Sequence, residues 1–343
     1  MNLVNALRVA RSRLGRVAAS AQPVAREIST PRFDIQAKAN PRWASSQRGS
    51  RVTVERVQLF DPTSKVFAIG SCFALEIRAA LRARGYEVFP KYKDVSFDPR
   101  SQKFAKMPER DSINHYDTFT IRQEFEQAFA GTHYGEKDFI VHKHKLQNSF
   151  EVGGRETWRD PYRRQILAAT KEGLLDLSGQ IDDRMREGIL EADVYVITLG
   201  LIETWRNKAN GLHICPLPDV GRDPALADIE FHLSDYAENY ENLKRICSLV
   251  RSRFPSKPIV LSVSPVGLQR TFTGRDIVVA NLESKSILRT AAGQICREFE
   301  HVHYWPSYEF CMRGDPFKDD GRHVTEEAVA AIVDAFISAH GAE

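Results

Sequence analysis

Four segments carry residues whose types and spacing suit chemistry. Gly70-Ser71-Cys72-Phe73-Ala74 sets a hydroxyl and a thiol side by side after a glycine. Glycine permits a tight turn. If a helix starts there, its free N–H groups favour a thiolate or a developing oxyanion. The plainer role of this pair is a helix cap at Ser71 and core packing at Cys72. Asp320-Gly321-Arg322-His323 spaces a carboxylate three residues before an imidazole. That spacing lets the carboxylate fix the imidazole tautomer and stabilise the imidazolium formed in proton transfer. The plainer role is a surface turn, and Asp319 and Asp315 are alternative orienting acids. Gly200, after Asp193–Leu199, is placed to offer its N–H to an oxyanion, with Glu203 and Trp205 as pocket walls. Ser264-Pro265-Val266 precede Asn281, Ser284, Lys285 and Arg289, and Lys285 or Arg289 can hold an anionic substrate group. His142 and His144 flank a lysine and lack partner acids, which argues against a metal site.

Each of these segments follows or precedes a regular element. Lys65–Ile69 reads as a buried strand, and Phe73–Arg84 as a helix with Phe73, Leu75, Ile77 and Leu81 on one side, closed by Gly85. Tyr86–Phe89, Asp193–Leu199, Pro258–Val263 and His301–Trp305 are further short strands. Helices are expected over Ile121–Phe129, Tyr236–Phe254, about 281–300, and Thr325–Ala339, the last capped by Thr325. Residues 207–232 read as loop, and residues 91–165 as a long polar insertion that covers a site. Strands alternating with helices predict a parallel sheet with helices on both faces, and sites in such folds gather beyond the carboxyl ends of the strands.

At this point the motifs resemble a known family. Gly70-Ser71-Cys72-Phe73-Ala74 is the name-giving motif of the GSCFA family, and Ser262–Val266, Ala280-Asn281, Ser284–Arg289, Tyr304–Glu309 and the Asp-Asp-Gly-Arg-His run ending at His323 are similar to it as well. The similarity spans roughly residues 60–335. The family resembles a branch of the SGNH (GDSL-type) hydrolases. That resemblance implies a three-layer α/β/α sandwich with a central parallel sheet, SGNH-hydrolase-like and flavodoxin-like, and ester-type acyl chemistry. In GDSL-type enzymes the nucleophile lies two residues after the glycine. Placing Gly70 on that glycine puts Cys72 there, while a one-residue difference in the turn brings Ser71 into line. Asp320 and His323 match the Asp-x-x-His pattern. The usual oxyanion asparagine of a Gly-x-Asn-Asp segment is absent after Gly200, and its role passes to Asn114, to Asp117 or to backbone N–H groups. A Cys72 thiolate would favour acyl transfer, with acyl-CoA as donor, over simple hydrolysis, and a helix N-terminus would lower its pKa.

Composition narrows the classes further. The chain has 343 residues, 42% hydrophobic and 27% charged, as globular proteins do. The net charge of +3 is too even for nucleic acid to be the main partner. No apolar run is long enough for a transmembrane helix. Five cysteines (Cys72, Cys215, Cys247, Cys296, Cys311) form no CxxC pair, so a reducing compartment is expected and a disulfide framework is not. Residues 1–50 form a basic arm (Arg8, Arg11, Arg13, Arg16 and Arg26 precede the first acid, Glu27) that ends in a linker over 45–50. The arm leaves membrane-surface contact or organelle targeting open beside a cytoplasmic location. A single domain is expected over 51–343. The expected activity is hydrolysis or transfer of a small acyl group, such as acetyl, on a carbohydrate-like substrate, with no required cofactor. The alternative is a catalytically silent module of the same fold that binds a glycan or a partner protein.

Overall fold

The runs that build the central sheet are rich in Val, Ile and Phe, which suit a pleated surface buried on both faces. The computed structural model describes residues 32–36, 51–96, 113–143, 156–163, 166–214, 227–314 and 316–342. In chain order these residues form β1 (Arg32–Gln36), β2 (Arg51–Glu55), β3 (Lys65–Gly70), α1 (Cys72–Arg82), β4 (Glu87–Phe89), α2 (Thr118–Ala130), β5 (Ile140–Lys143), β6 (Glu156–Arg159) and β7 (Leu167–Ala168). Then come α3 (Lys171–Glu191), β8 (Val194–Leu199), β9 (Glu203–Asn207), β10 (His213–Ile214), β11 (Ile229–Leu233), α4 (Tyr236–Arg253), β12 (Ile259–Val263), α5 (Ile277–Glu298), β13 (Val302–Tyr304), α6 (Ser307–Gly314) and α7 (Glu326–His340).

Five strands pair in parallel in the order β4-β3-β8-β12-β13. Counted along the chain this is 2-1-3-4-5, the flavodoxin-like doubly wound order. Alternate residues point to opposite faces. Phe67, Ile69, Tyr195 and Ile197 join the core shared with α2, α3, α4 and α5. Val66, Ala68, Val194 and Val196 join the core shared with α1, α6 and α7. The three-layer α/β/α class expected from the sequence is the one observed. The strand order reverses between β3 and β8, and a crevice must open beyond their carboxyl ends.

The structure departs from the sequence reading in places. The basic arm was expected to run to residue 50, but β1 lies inside it and pairs in parallel with β2. Phe33 stacks on Trp305 at 4.7 Å and on Phe310 at 4.5 Å, so its apolar surface draws this strand onto the outer helix layer. Residues 1–31 and the linker over 45–50 lie outside the described residues. The 21-residue α3 was not anticipated, although Leu174, Leu177, Ile181, Met185 and Ile189 form a helical stripe and are buried. The segment expected as loop over 207–232 holds part of a three-stranded antiparallel sheet, β10-β9-β11. The helix expected near 281 begins at Ile277, because Asp276 accepts hydrogen bonds from the Val278 and Val279 N–H groups.

The insertion over 91–165 is tied down from within. Arg163 is fully buried and donates to Glu124, Asp160 and Asp182, which joins α2, the loop after β6 and α3. Cys72, Cys247, Cys296 and Cys311 are free thiols, and Cys215 lies outside the described residues. Among the described residues no helix is long and apolar enough to cross a membrane.

Candidate functional site

The turn after β3 is shaped by a steric demand. Gly70 has φ +139°, and a Cβ there would lie 2.1 Å from the Thr198 carbonyl oxygen. Only glycine lets β3 end this close to β8. Ser71 then caps α1: its Oγ accepts from the Phe73 N–H at 3.3 Å and lies 3.5 Å from Thr198 Oγ1. Ser71 is 3% exposed, whereas Cys72, the first residue of α1, is partly exposed. Both line a cavity of about 400 Å³ at the switch point.

His323 lines the same cavity from the loop before α7. Asp320 Oδ1 accepts from the backbone N–H groups of Arg322 and His323, each at 2.9 Å, and Oδ2 binds His323 Nδ1. The hydrogen bond with His323 holds the Asp320 carboxyl well below the usual carboxylate range. Nδ1 is thereby committed, and Nε2 is left for proton transfer. No hydrogen bond joins His323 to Ser71 or Cys72, and catalytic hydrogen bonds often tighten only with substrate bound. The other acids considered for this role differ: Asp319 makes no such bond and Asp315 lies outside the described residues.

Several expected oxyanion donors are already in use. The Ser71 N–H donates to Thr198 O at 3.2 Å, the Gly200 and Leu201 N–H groups donate to Tyr116 O, and the Ile202 N–H donates to Ser284 Oγ. Gly200 therefore lines the cavity without an N–H to offer, which corrects the role expected for it. Asp117, by contrast, does not line the cavity. It caps α2 by accepting from the Thr120 N–H at 2.9 Å, and burial raises its carboxyl to about 6. Asn114 does line it, with Nδ2 3.4 Å from Tyr116 Oη. The N–H of Cys72 is the one backbone donor of residues 71–73 that no described protein group takes. Of the donors expected for an oxyanion, the Cys72 N–H and the Asn114 side chain border the cavity.

The walls come from two loops and the small antiparallel sheet. Glu203 is buried and accepts from Thr271 Oγ1 at 2.5 Å and from the Phe272 N–H at 2.8 Å, so it braces the 264–276 loop. Trp205 meets Phe272 edge-to-face at 5.0 Å, and both line the cavity. Phe272 is itself partly exposed, and Val278, Val279 and Leu282 are exposed on the first turns of α5.

Lys285 and Arg289 were both expected as anion holders. Arg289 lies elsewhere: it binds Glu309 at 2.8 Å and stacks over Tyr304 at 3.8 Å. Lys285 is buried beneath the cavity, and its Nζ donates to the carbonyls of Gly200 (2.6 Å) and Val266 (3.0 Å). Burial pushes this ammonium down to about 7. Burial pushes the Cys72 thiol up, and the positive charges of Arg322 and Lys285 pull it down. The lowering expected from the helix N-terminus is thus outweighed by desolvation. Arg322 and Arg270 are the arginines of the cavity lining, residues the sequence reading did not select, and Arg322 Nε donates to Gly267 O. His142 lies on β5, and His144 lies outside the described residues.

The GSCFA family model matches residues 65–336. A comparison with curated proteins returns no match. Solved structures similar to this chain include a Clostridium thermocellum family 3 carbohydrate esterase, at 12% identity over 81% of this chain and 94% of that one, with a TM-score of 0.31. A peptidoglycan O-acetylesterase is similar at 10% identity over 80% of this chain and 90% of that one, with a TM-score of 0.31. The fold assignment rests on the strand order above, and the site on its own geometry.

Proposed function

This chain belongs to the GSCFA family, and from that premise we propose that it hydrolyses or transfers a small acyl group, such as acetyl, carried as an ester on a carbohydrate-like substrate. One observation carries the reading: a partly exposed thiol at the start of a helix and an imidazole held by a carboxylate line one cavity. Cys72 is favoured over Ser71 because the Ser71 hydroxyl is buried in its capping role.

The steps follow from that pairing. Cys72 Sγ attacks the ester carbonyl carbon, and its proton passes to His323 Nε2. The oxyanion is held by the Cys72 N–H and Asn114. The carbon–oxygen bond breaks, and the leaving alcohol takes the proton from His323. Water or an acceptor hydroxyl then attacks the thioester, giving its proton to His323, which returns it to Sγ as the acyl group departs. Asp320 keeps Nδ1 committed throughout. If the donor is acyl-CoA, Arg270 and Arg322 are the cations at hand for its phosphates. The free thiols suit a reducing compartment such as the cytoplasm.

The second reading is a silent binding module. It is favoured by the absence of the usual asparagine after Gly200 and by the engagement of the Gly200 N–H with Tyr116 O. One experiment separates the two. The protein is incubated with p-nitrophenyl acetate and, separately, with acetyl-CoA, and the peptide around Cys72 is weighed in wild type, Cys72→Ala, Ser71→Ala and His323→Ala. An acetyl adduct on that peptide, absent in Cys72→Ala and retained in Ser71→Ala, supports the acyl reading. Full turnover in His323→Ala removes the proposed base. No adduct and no product from either donor moves the weight to the binding module.

A further inference from the structure

A guanidinium presents its N–H groups in a flat fork that matches a carboxylate or a phosphate. Arg275, on the 264–276 loop, and Arg289, on α5, each meet a carboxylate, Glu283 and Glu309. Arg270 and Arg322 line the cavity and pair with no carboxylate among the described residues. The acids of the site are already engaged. Glu203 takes Thr271 with one oxygen and Phe272 with the other. Asp320 takes the backbone N–H groups of Arg322 and His323 with one oxygen and the His323 ring with the other. Lys285 is committed to two carbonyls.

Both arginines are held in place. The Arg322 backbone N–H is taken by Asp320, and its Nε donates to the Gly267 carbonyl at 3.1 Å. Its two terminal nitrogens have no acceptor among the described residues. Arg270 stands between two anchored points of the 264–276 loop: the Leu268 N–H donates to Asn281 Oδ1 at 3.2 Å, and Thr271 and Phe272 bind Glu203. The contact with Gly267 sets Arg322 against the loop that carries Arg270. Trp205, Leu268 and Phe272 belong to the same cavity lining, and apolar walls strengthen the attraction for an anion.

We propose that Arg322 and Arg270 form an anion subsite in the wall of the cavity, so that the ester taken there carries a carboxylate or a phosphate beside its acyl group. The inference rests on the acyl reading above and narrows its substrate class. The charge comes from an acidic sugar that bears the ester or from a phosphorylated acyl donor, and both are recognised by the same fork of N–H groups. Arg322 directly precedes His323, so the anion is held on the imidazole side of the cavity. An uncharged aryl acetate enters the same cavity without this contact and is a minimal substrate.

The test reads occupancy without any turnover. Cys72 lines the cavity and is partly exposed, so a ligand bound there shields it from iodoacetamide. Alkylation is followed on the tryptic peptide 66–78, which contains no other cysteine. Benzoate, phenyl phosphate and the neutral benzamide are titrated at one ionic strength into wild type, Arg270→Gln and Arg322→Gln, each shown to be folded by circular dichroism melting. The expected result is half-protection by one or both anions at about a tenfold lower concentration than benzamide, with each substitution cutting that advantage about threefold or more. Tighter protection by phenyl phosphate assigns the charge to a phosphorylated donor, and tighter protection by benzoate assigns it to an acidic sugar. Arg270→Gln carries the test alone should Arg322→Gln not fold. Absence of protection by either anion, equal protection by benzamide, or an advantage that survives in the folded variants overturns the proposal. Anion protection in a protein that turns over no ester leaves the subsite standing and removes the acyl reading instead.

Discussion

Asp320 grips His323 at two points, accepting from its backbone N–H with one oxygen and binding its Nδ1 with the other. The first contact shapes the turn, and the second sets which ring nitrogen faces the cavity. Asp320→Asn preserves an oxygen for the turn but presents an N–H to Nδ1, which selects the wrong tautomer. Turnover of p-nitrophenyl acetate is expected to fall at least about a hundredfold in Asp320→Asn, as much as in Asp320→Ala. Both residues are half-exposed, so melting temperatures should change little. Asparagine activity near wild type would show that Nδ1 is not held for catalysis.

Two glycines with positive φ separate strain from collision. Gly70→Ala drives a Cβ into the Thr198 carbonyl, which is backbone and cannot move aside. Its cost is expected at about 4 kcal/mol or more, measured by urea unfolding. Gly85→Ala meets nothing within 4 Å at φ +88°, so only the backbone penalty of about 1–2 kcal/mol applies. Equal costs at the two positions would refute the close approach of β3 and β8.

The aromatic wall should govern preference among esters. Phe272→Ala keeps the backbone N–H that Glu203 accepts but removes the ring that meets Trp205. KM for p-nitrophenyl butyrate is expected to rise about three- to tenfold with kcat nearly unchanged, and KM for the acetate to rise less. A loss confined to kcat would place Phe272 in the chemistry and not in the wall.

Acid should act through buried imidazoles. Burial, aided by the nearby charges of His232, Arg122 and Arg206, pushes His213 down to about 3. The unfolded chain takes up this proton near pH 6.5 while the folded chain refuses it until about pH 3. Stability from this group is therefore fully present above pH 6.5 and lost as pH falls through that window, by at most about 1.4 kcal/mol per unit. His213→Phe keeps the stacking on Phe119 and does not titrate. Its urea midpoint is expected to fall less steeply from pH 6.5 to 4 than that of wild type. Parallel curves for the two proteins would assign the acid sensitivity elsewhere.

The sheet and much of the site were legible because both depend on local signals. Apolar runs ended by Gly70, Gly200 and Pro265 mark strand ends, and Asp320 and His323 are near enough in sequence to be read as a pair. What stayed hidden depends on contacts between distant segments. Asn114 and Asp117 are alike in sequence, but one reaches the cavity and the other caps α2. Lys285 and Arg289 lie one helical turn apart, and only the surrounding packing turns one under the floor and the other onto Glu309. The engagement of the Gly200 N–H by Tyr116, 84 residues earlier in the chain, has no local signature at all. Nor has β1, whose partner strand begins 15 residues further on.

Residues 113–117 bear on how far this fold can be pared down. The His115 N–H donates to the Gly70 carbonyl at 2.8 Å, and the Tyr116 carbonyl takes the N–H groups of Gly200 and Leu201. This short stretch laces together the two strand ends that border the cavity. An insertion is usually the first part of a domain to be excised when a smaller scaffold is wanted. Here the excision has a boundary: removing 113–117 strips three main-chain hydrogen bonds from the floor of the site. A shortened version of this chain would have to keep that lacing or supply another strand-end tie in its place.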